Sequence, residues 1–138
     1  MVQVNSVVVA NKEVAGNLWR MVLDAPAIGA EIRPGQFINI KLTGSNDPLF
    51  RRPFSVLRTV QLEGSRLGIE IFYKVVGRGT RGMTSLGAGD ELDLIGPLGH
   101  GFQLHPGKKV HILLGGGMGA ASSRSPSSSD LSCLGNLT

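Results

Sequence analysis

The segment FYKVVGRGTRGM, residues 72–83, reads as a β-strand that passes through glycines into the start of a helix. Gly77 and Gly79 permit a close approach to the backbone, and Thr80 can cap the helix or contact a ligand directly. The free N–H groups in the first turn of such a helix form a site for an anion such as a diphosphate. A plain loop before a threonine-capped helix is the alternative, and for this segment alone it is the commoner outcome.

The chain around this segment repeats a two-residue apolar period in short runs that end at Gly, Pro, Asn or Asp. This pattern predicts strands over residues 4–10, 18–24, 36–42, 54–59, 67–74 and 91–95, and one helix over about residues 80–86. Antiparallel strands of this length suit a small closed barrel, which leaves no sheet edge exposed. We therefore predict a mainly β fold, a six-stranded antiparallel Greek-key barrel with one short helix.

Length and composition exclude several classes of protein. The chain has 138 residues, enough for one ordinary domain but few for two, and its net charge of +4 comes from scattered basic residues with few aromatics between them. Nucleic acid is therefore not predicted as a partner. The single cysteine, Cys133, cannot build a disulfide, a thiolate zinc site or an iron–sulfur cluster within this chain. With no membrane span and no signal peptide in the sequence, a cytoplasmic location is predicted.

A second candidate site is FRRPFSV, residues 50–56, in which two arginines precede a strand. A flavin dinucleotide needs what these residues offer: guanidinium donors for its pyrophosphate, an aromatic face in Phe54 for the isoalloxazine, and a hydroxyl in Ser55 near N5 or O4. Pro53 stiffens the entry into the strand. The alternative is that both arginines are exposed, Phe54 belongs to the core and Ser55 faces solvent, and this short motif alone does not decide.

The residue pattern changes after the last predicted strand, from alternating apolar residues to a segment rich in glycine. Residues 96–102, GPLGHGF, form a turn-rich linker that is predicted to position a following domain, and His100 is predicted to be polar surface. KVHILL at 109–114 is then a buried type of strand that runs into GGGMG at 115–119, as at the start of a nucleotide-binding α/β domain. Residues 122–129 are mainly serine, which predicts a disordered or aberrant tail.

Three of these segments, residues 50–56, 72–83 and 96–102, resemble in their order and spacing the motifs of the ferredoxin reductase-like flavoprotein superfamily. Within it, the sequence most resembles the electron transfer subunits of class B dihydroorotate dehydrogenase, through residues 51–55, 73–80 and 96–102. The resemblance extends from residue 2 to about residue 120. It is more specific for the superfamily than for this branch, because the flavin subunits of hydrogenases and sulfide dehydrogenases look similar.

The resemblance implies FAD held between the barrel and a nicotinamide domain, with hydride arriving from NADH and single electrons leaving through a [2Fe–2S] cluster. The implied partner is the catalytic, FMN-containing dihydroorotate dehydrogenase subunit of pyrimidine biosynthesis. Carried over by position, the FAD contacts are predicted at Arg52, Pro53, Phe54, Ser55, Phe72, Tyr73, Lys74, Gly79 and Thr80. The start of the nicotinamide site is predicted at Gly115, Gly116, Gly117 and Gly119. No catalytic residue and no metal ligand is predicted.

The sequence also departs from this family. Its C-terminal cysteine cluster and nearly all of its nicotinamide domain have no counterpart here, and Phe54 replaces the tyrosine common in the superfamily. We therefore expect an FAD-binding barrel over 1–102, the start of a truncated NAD-binding α/β domain over 103–121, and a tail over 122–138. The chain alone is expected to lack complete NADH and iron–sulfur sites. Two alternatives stay open: a flavin subunit of a hydrogenase, sulfide dehydrogenase or ferredoxin-linked complex, and a non-catalytic barrel remnant.

Overall fold

A computed structural model describes residues 1–43, 50–103, 105–112, 114 and 117–119 of the chain. In this part, six strands form a closed barrel in the order β1-β2-β5-β4-β3-β6, and every neighbouring pair is antiparallel. The strands are β1 Val2–Ala15, β2 Leu18–Asp24, β3 Phe37–Leu42, β4 Arg52–Gln61, β5 Leu67–Lys74 and β6 Glu91–Leu98. The predicted six-stranded antiparallel barrel is confirmed.

The first strand is longer than predicted because it pairs with two neighbours in succession. Its residues up to Val7 pair with β6, and those from Val7 to Ala15 pair with β2. Two register shifts in the β1–β2 pairing mark bulges, which bend a strand and increase its twist. Asn17 adopts a positive φ of 65° in the turn that joins β1 to β2, a conformation that Asn tolerates better than most residues.

The core lies inside the barrel and consists of alternate residues from the strands. Ala25 and Ile28, from the segment after β2, also belong to it. The strand residues of the core with 1% exposure or less are aliphatic or sulfur-containing side chains together with one tyrosine: Val8, Met21, Leu23, Ile38, Ile69, Ile71, Tyr73, Leu92 and Leu94. Their two-residue spacing is the pattern from which the strands were predicted. Burial of one such side chain contributes about 1.5–3 kcal/mol to folding.

In the described part of the chain, two α-helices accompany the barrel, and the sequence predicted only the second. The short helix α1, Pro26–Gly29, buries Ile28, and four residues are too few to show a helical period. Helix α2 spans Arg78–Thr84, so it begins and ends two residues earlier than predicted. The shift arises because Gly77, and not a later residue, is the N-cap.

The strand predicted over residues 109–114 is not formed in the described residues of that segment. Val110, Ile112 and Leu114 are 75%, 81% and 94% exposed. A strand of this apolar type is stable when neighbouring strands take its backbone hydrogen bonds and helices cover both of its faces. The described residues supply neither to this segment.

Candidate functional site

An open pocket of about 310 Å³ lies where β4 begins, β5 ends and α2 starts. The pocket is in the range, about 300–1,000 Å³, that is usual for sites of small molecules and cofactors. The residues that line it are Arg52, Pro53, Phe54, Ser55, Phe72, Tyr73, Lys74, Val76, Thr80 and Met118. The two motifs recognised in the sequence therefore meet in one place.

Strand pairing explains why these distant segments meet. β4 and β5 are antiparallel neighbours with Val56 opposite Ile71, so the beginning of β4 lies beside the end of β5. The ring of Phe54 meets that of Tyr73 edge-on, with centroids 6.2 Å apart and an interplanar angle of 79°. On the other side, Trp19 of β2 stacks on Tyr73, also at 6.2 Å. A continuous aromatic group therefore supports the pocket from inside the barrel wall.

The two adjacent arginines have different partners. Arg52 is exposed and lines the pocket, whereas Arg51 turns to β6, where its Nη1 donates to the carbonyl oxygen of Asp93 at 3.0 Å and its Nη2 pairs with the Asp93 carboxylate. Of the two arginines that precede the strand, only Arg52, the one predicted as an FAD contact, therefore lies at the pocket in this structure. Arg51 instead ties the start of β4 to β6.

Asp93 shows the electrostatic effect of this pairing. Burial raises the pKa of the Asp93 carboxyl, but hydrogen bonds from Arg51 and Gln3 and the charges of Arg51 and Lys41 outweigh burial and hold that pKa below its ordinary value of 3.8. The Arg51–Asp93 pair therefore stabilises the fold at neutral pH, and this contribution is lost only as the pH falls through the lowered pKa.

Thr80 lies at the third position of α2, and its hydroxyl is occupied by the chain itself. The Oγ1 atom accepts hydrogen bonds from the N–H groups of Val76 at 2.9 Å and Gly77 at 3.2 Å, and donates to the carbonyl oxygen of Gly77 at 3.2 Å. Thr80 thus shapes the turn into α2 and lines the pocket while 8% exposed. Its predicted partner Gly79 is buried beside it and does not line the pocket.

Phe54 and Ser55 combine features of the two interpretations, contact with a cofactor on the one hand and core or solvent-facing residues on the other. Phe54 is 9% exposed and belongs to the core, yet it lines the pocket. Ser55 is half-buried and also lines the pocket, so it does not simply face solvent. In this structure the aromatic support of the pocket comes jointly from Phe54, Phe72 and Tyr73.

Asn11, which was not predicted from the sequence, connects three parts of the site. Its Nδ2 donates to the carbonyl oxygens of Met83 at 2.8 Å and Leu86 at 2.9 Å, at the end of α2, and its Oδ1 accepts from the hydroxyl of Tyr73 at 3.0 Å. Asn11 therefore joins β1, β5 and α2 beneath the pocket. Val76 and Met118 are two further pocket residues that were not predicted.

Burial of Tyr73 has a measurable consequence. Burial raises the pKa of the Tyr73 hydroxyl from 10.0 to about 12, although the hydrogen bond to Asn11 opposes this shift. The folded state then binds a proton that the unfolded state loses, so the free energy of unfolding is expected to fall between pH 10 and 12 by about 1.4 kcal/mol per pH unit. Below pH 10 this contribution is complete.

The titration of Tyr73 can be followed directly, because it is the chain's one tyrosine. Tyrosinate absorbance in the near ultraviolet should rise with a midpoint close to pH 12 in the native protein and close to the ordinary value of 10.0 in urea. A Tyr73→Phe variant, which keeps the ring, should lose the alkaline decline in stability. A native midpoint near that of the unfolded chain would contradict the burial assigned to this hydroxyl.

Of the four glycines of the predicted nicotinamide site, two lie within the described residues, and neither of these lines the pocket. Gly115 and Gly116 lie outside the described residues, and Gly117 and Gly119 are exposed and do not line the pocket. Met118, between the latter two, does line it. Segment 117–119 therefore reaches the pocket through its methionine and not through its glycines.

The linker after β6 is fixed to the loop before β3. The N–H of Phe102 donates to the carbonyl oxygen of Pro34 at 2.9 Å, and Nε2 of Gln36 donates to that of Gly99 at 3.0 Å. Gly35 has a φ of +88°, and a Cβ at that position would lie 3.2 Å from the Phe102 ring, so both backbone and space favour glycine. His100 is exposed, as predicted for a residue of polar surface.

Metal-ligating groups and membrane-spanning helices are both absent from the described ranges. No group of three or more His, Cys, Asp or Glu side chains there could hold a metal ion, and Cys133 lies outside those ranges. Among the same residues, no helix is both long and apolar enough to cross a bilayer.

The barrel and its pocket define the class of protein. The fold is that of ferredoxin reductase-like FAD-binding domains: the ferredoxin reductase of carbazole 1,9a-dioxygenase superposes with a TM-score of 0.71 at 25% identity, over 88% of this chain and 37% of that one. The NADH-dependent reduced ferredoxin-NADP oxidoreductase gives a TM-score of 0.60 at 27% identity, over 71% of this chain and 34% of that one.

Within this class, the chain is homologous to the electron transfer subunit of dihydroorotate dehydrogenase B (NAD(+)). It is 35% identical to that subunit from Bacillus cereus strain B4264 over 117 residues, which are 83% of this chain and 44% of the relative. The subunit from Desulforamulus reducens is 40% identical over 109 residues, 78% of this chain and 40% of the relative. The chain thus spans less than half the length of these relatives, and no protein-family model matches it.

Proposed function

We propose that this chain is the FAD-binding portion of an electron transfer subunit of the dihydroorotate dehydrogenase B type. The observation that carries the proposal is the single pocket in which residues 52–55, residues 72–74 and Thr80 meet. These residues belong to two motifs that are distant in the sequence and are brought together by the pairing of β4 with β5. The homology with subunits of that name supports the same function.

The residues present fit an FAD molecule in chemical type. Arg52 and Lys74 are exposed cations at the pocket and would hold the diphosphate, and the hydroxyl of Ser55 would hydrogen-bond the polar edge of the flavin. Phe54, with its aromatic neighbours, would exclude water from one side of the ring. When bound, FAD would supply the ability to take two electrons as hydride and release them singly.

The rest of the proposed electron path depends on parts beyond this barrel. We infer that residues 103–121 begin an NAD-binding domain, with Gly115, Gly116, Gly117 and Gly119 at its nicotinamide site. NADH would be the electron donor, and a [2Fe–2S] cluster held elsewhere in the assembly would be the exit. The proposed recipient is a catalytic FMN-containing dihydroorotate dehydrogenase subunit in the cytoplasm, and the relatives' name, which describes a subunit, supports the existence of such a partner.

The test is reconstitution of the purified chain with FAD. Trp19 is the chain's one tryptophan and stacks on Tyr73 of the pocket, so bound flavin should quench its fluorescence. We expect quenching that saturates at one FAD per chain and a flavin spectrum that remains after gel filtration. Failure to retain FAD when it is supplied in molar excess would refute the proposal.

A second function, reductase for ferredoxin, is favoured by the likeness to the ferredoxin oxidoreductase described above. It shares the FAD site and differs in the electron acceptor. The two are distinguished by adding the FAD-loaded chain to a dihydroorotate dehydrogenase catalytic subunit or to a ferredoxin and measuring complex formation by ultracentrifugation. A folded chain that binds FAD but neither partner would instead support the non-catalytic barrel.

A further inference from the structure

A buried carboxylate on the outer wall of the barrel orients two arginines. Glu70 lies on β5 between Ile69 and Ile71, which point into the core, so its own side chain points outward. It is nevertheless only 1% exposed, because Arg20 and Arg58 cover it. Nε of Arg20 lies 3.1 Å from its Oε1, and Nε of Arg58 lies 2.6 Å from its Oε2.

This arrangement leaves the arginines available to a further group. One carboxylate is shared between two guanidiniums, and each arginine side chain remains 46% exposed although its Nε is held. Lys12 lies opposite Arg20 in the β1–β2 register and adds a third cation. Because the arginines are already fixed by Glu70, an incoming anion would bind them with little loss of side-chain freedom.

The three cations line a pocket of about 480 Å³ on the barrel wall. Its other lining residues are Glu13, Val14, Leu57, Glu70 and Phe72. The lining thus carries more cations than carboxylates, and Glu13 already accepts a hydrogen bond from the N–H of Asn17 at 3.0 Å. Leu57 and Phe72 provide an apolar side next to the charged one.

We propose that this wall pocket binds a small planar anion, a flat ring that carries a carboxylate or a phosphate. The anionic group would pair with the guanidiniums of Arg20 and Arg58, which suit the two oxygens of a carboxylate or phosphate. The ring would lie against Phe72, where an aromatic contact adds to the burial of apolar surface. The volume is sufficient for a ligand of drug size.

The wall pocket is a different site from the one proposed for FAD, but the two are neighbours. Phe72 lines both, and the other lining residues of the two pockets differ. A ligand in the wall pocket would therefore contact the aromatic ring that also borders the flavin. The proposal does not depend on FAD binding, because its residues and charges are present in the barrel alone.

The test is calorimetric titration of the full chain with four probes, both without FAD and saturated with it. Benzoate and AMP each carry a ring and an anionic group, adenosine lacks the anion, and inorganic phosphate lacks the ring. We expect one site per chain for benzoate or AMP, with adenosine and phosphate at least about 10-fold weaker. The tighter of benzoate and AMP identifies the anionic group as carboxylate or phosphate.

Variants locate the site. Arg58→Ala is expected to weaken binding of the tighter probe by about 10-fold, and Arg58→Lys, which keeps the charge and the pairing with Glu70 but loses the planar fork, by about 5-fold. Arg66→Ala, which removes an arginine paired with Asp24 and absent from the wall pocket, should bind like the unchanged chain. Circular dichroism of each variant verifies the barrel, and Arg58→Lys is decisive where Arg58→Ala is unstable.

Four results would overturn the proposal. Displacement of the probe by FAD would place it in the flavin pocket. Adenosine binding as tightly as the tighter of benzoate and AMP would remove the role of the anion, and unchanged binding in Arg58→Lys would remove the role of the guanidinium. If neither benzoate nor AMP bound at concentrations up to about 10 mM, the proposal would also be overturned. That limit corresponds to a binding free energy of about 3 kcal/mol.

Discussion

Replacing Arg52 with alanine is expected to weaken FAD binding by about 10- to 100-fold. Arg52 is an exposed cation that lines the proposed FAD pocket, and Lys74 is the other cation among the described lining residues. A hydrogen bond to a charged group contributes about 1.5–3 kcal/mol, and its loss leaves the diphosphate with one cation in place of two. The dissociation constant is measured from quenching of Trp19 fluorescence.

The neighbouring arginine provides the control. Arg51→Ala removes the same chemical group one position earlier, but Arg51 contacts Asp93 and does not line the pocket. It should leave FAD affinity within about 2-fold and lower the free energy of unfolding by about 1 kcal/mol, as for other partly exposed ion pairs. If Arg51→Ala weakened FAD binding as much as Arg52→Ala, the assignment of the two arginines would be wrong.

The sequence predicted the barrel well because its strands are half-buried. Residues such as Leu92 and Leu94 alternate with exposed or half-buried ones, and this two-residue period records directly which face of the strand meets the core. The helix was less well placed. A helix of seven residues has little period of its own, and its start depends on the backbone of Gly77, where no side chain marks the boundary.

The roles of adjacent residues were harder to predict than the presence of the motif. Arg51 and Arg52 are identical in type and adjacent in sequence, yet only Arg52 lines the pocket, whereas Arg51, just before β4, contacts Asp93. Which one does so depends on how β4 lies relative to β6, where Asp93 receives Arg51. This arrangement is set by packing over forty residues of sequence separation, which the motif itself does not contain.

Asn11 was not predicted for the same reason, because its contacts span an even longer sequence separation. Its partners Met83 and Leu86 are 72 and 75 residues away, and nothing in the sequence near Asn11 distinguishes it from the other polar residues of β1. Its amide nevertheless holds the end of α2 in place, because it donates to the carbonyl oxygen of Met83 in the last turn and to that of Leu86 two residues beyond the helix. A long-range contact of this kind becomes visible only in the structure.

Replacing Asn11 with alanine is therefore expected to lower the free energy of unfolding by about 3 kcal/mol. Three hydrogen bonds are lost at about 1 kcal/mol each, and the hydroxyl of Tyr73, a residue 1% exposed, is left without its acceptor. Urea denaturation measures the loss. FAD affinity should fall as well, because α2 carries Thr80 to the pocket and Asn11 fixes the end of that helix.

A matched variant on the same strand tests whether the loss of stability is specific to Asn11 or follows from replacing any asparagine of β1. Asn5→Ala changes an exposed residue of β1 that lies opposite Asp93 of β6, and it should alter stability by no more than about 0.5 kcal/mol. In a double-mutant cycle, Asn11→Ala and Tyr73→Phe should couple by about 1 kcal/mol, since they share one hydrogen bond. Additive effects would show that Asn11 supports α2 alone, and equal stability of the Asn11 and Asn5 variants would contradict its role beneath the pocket.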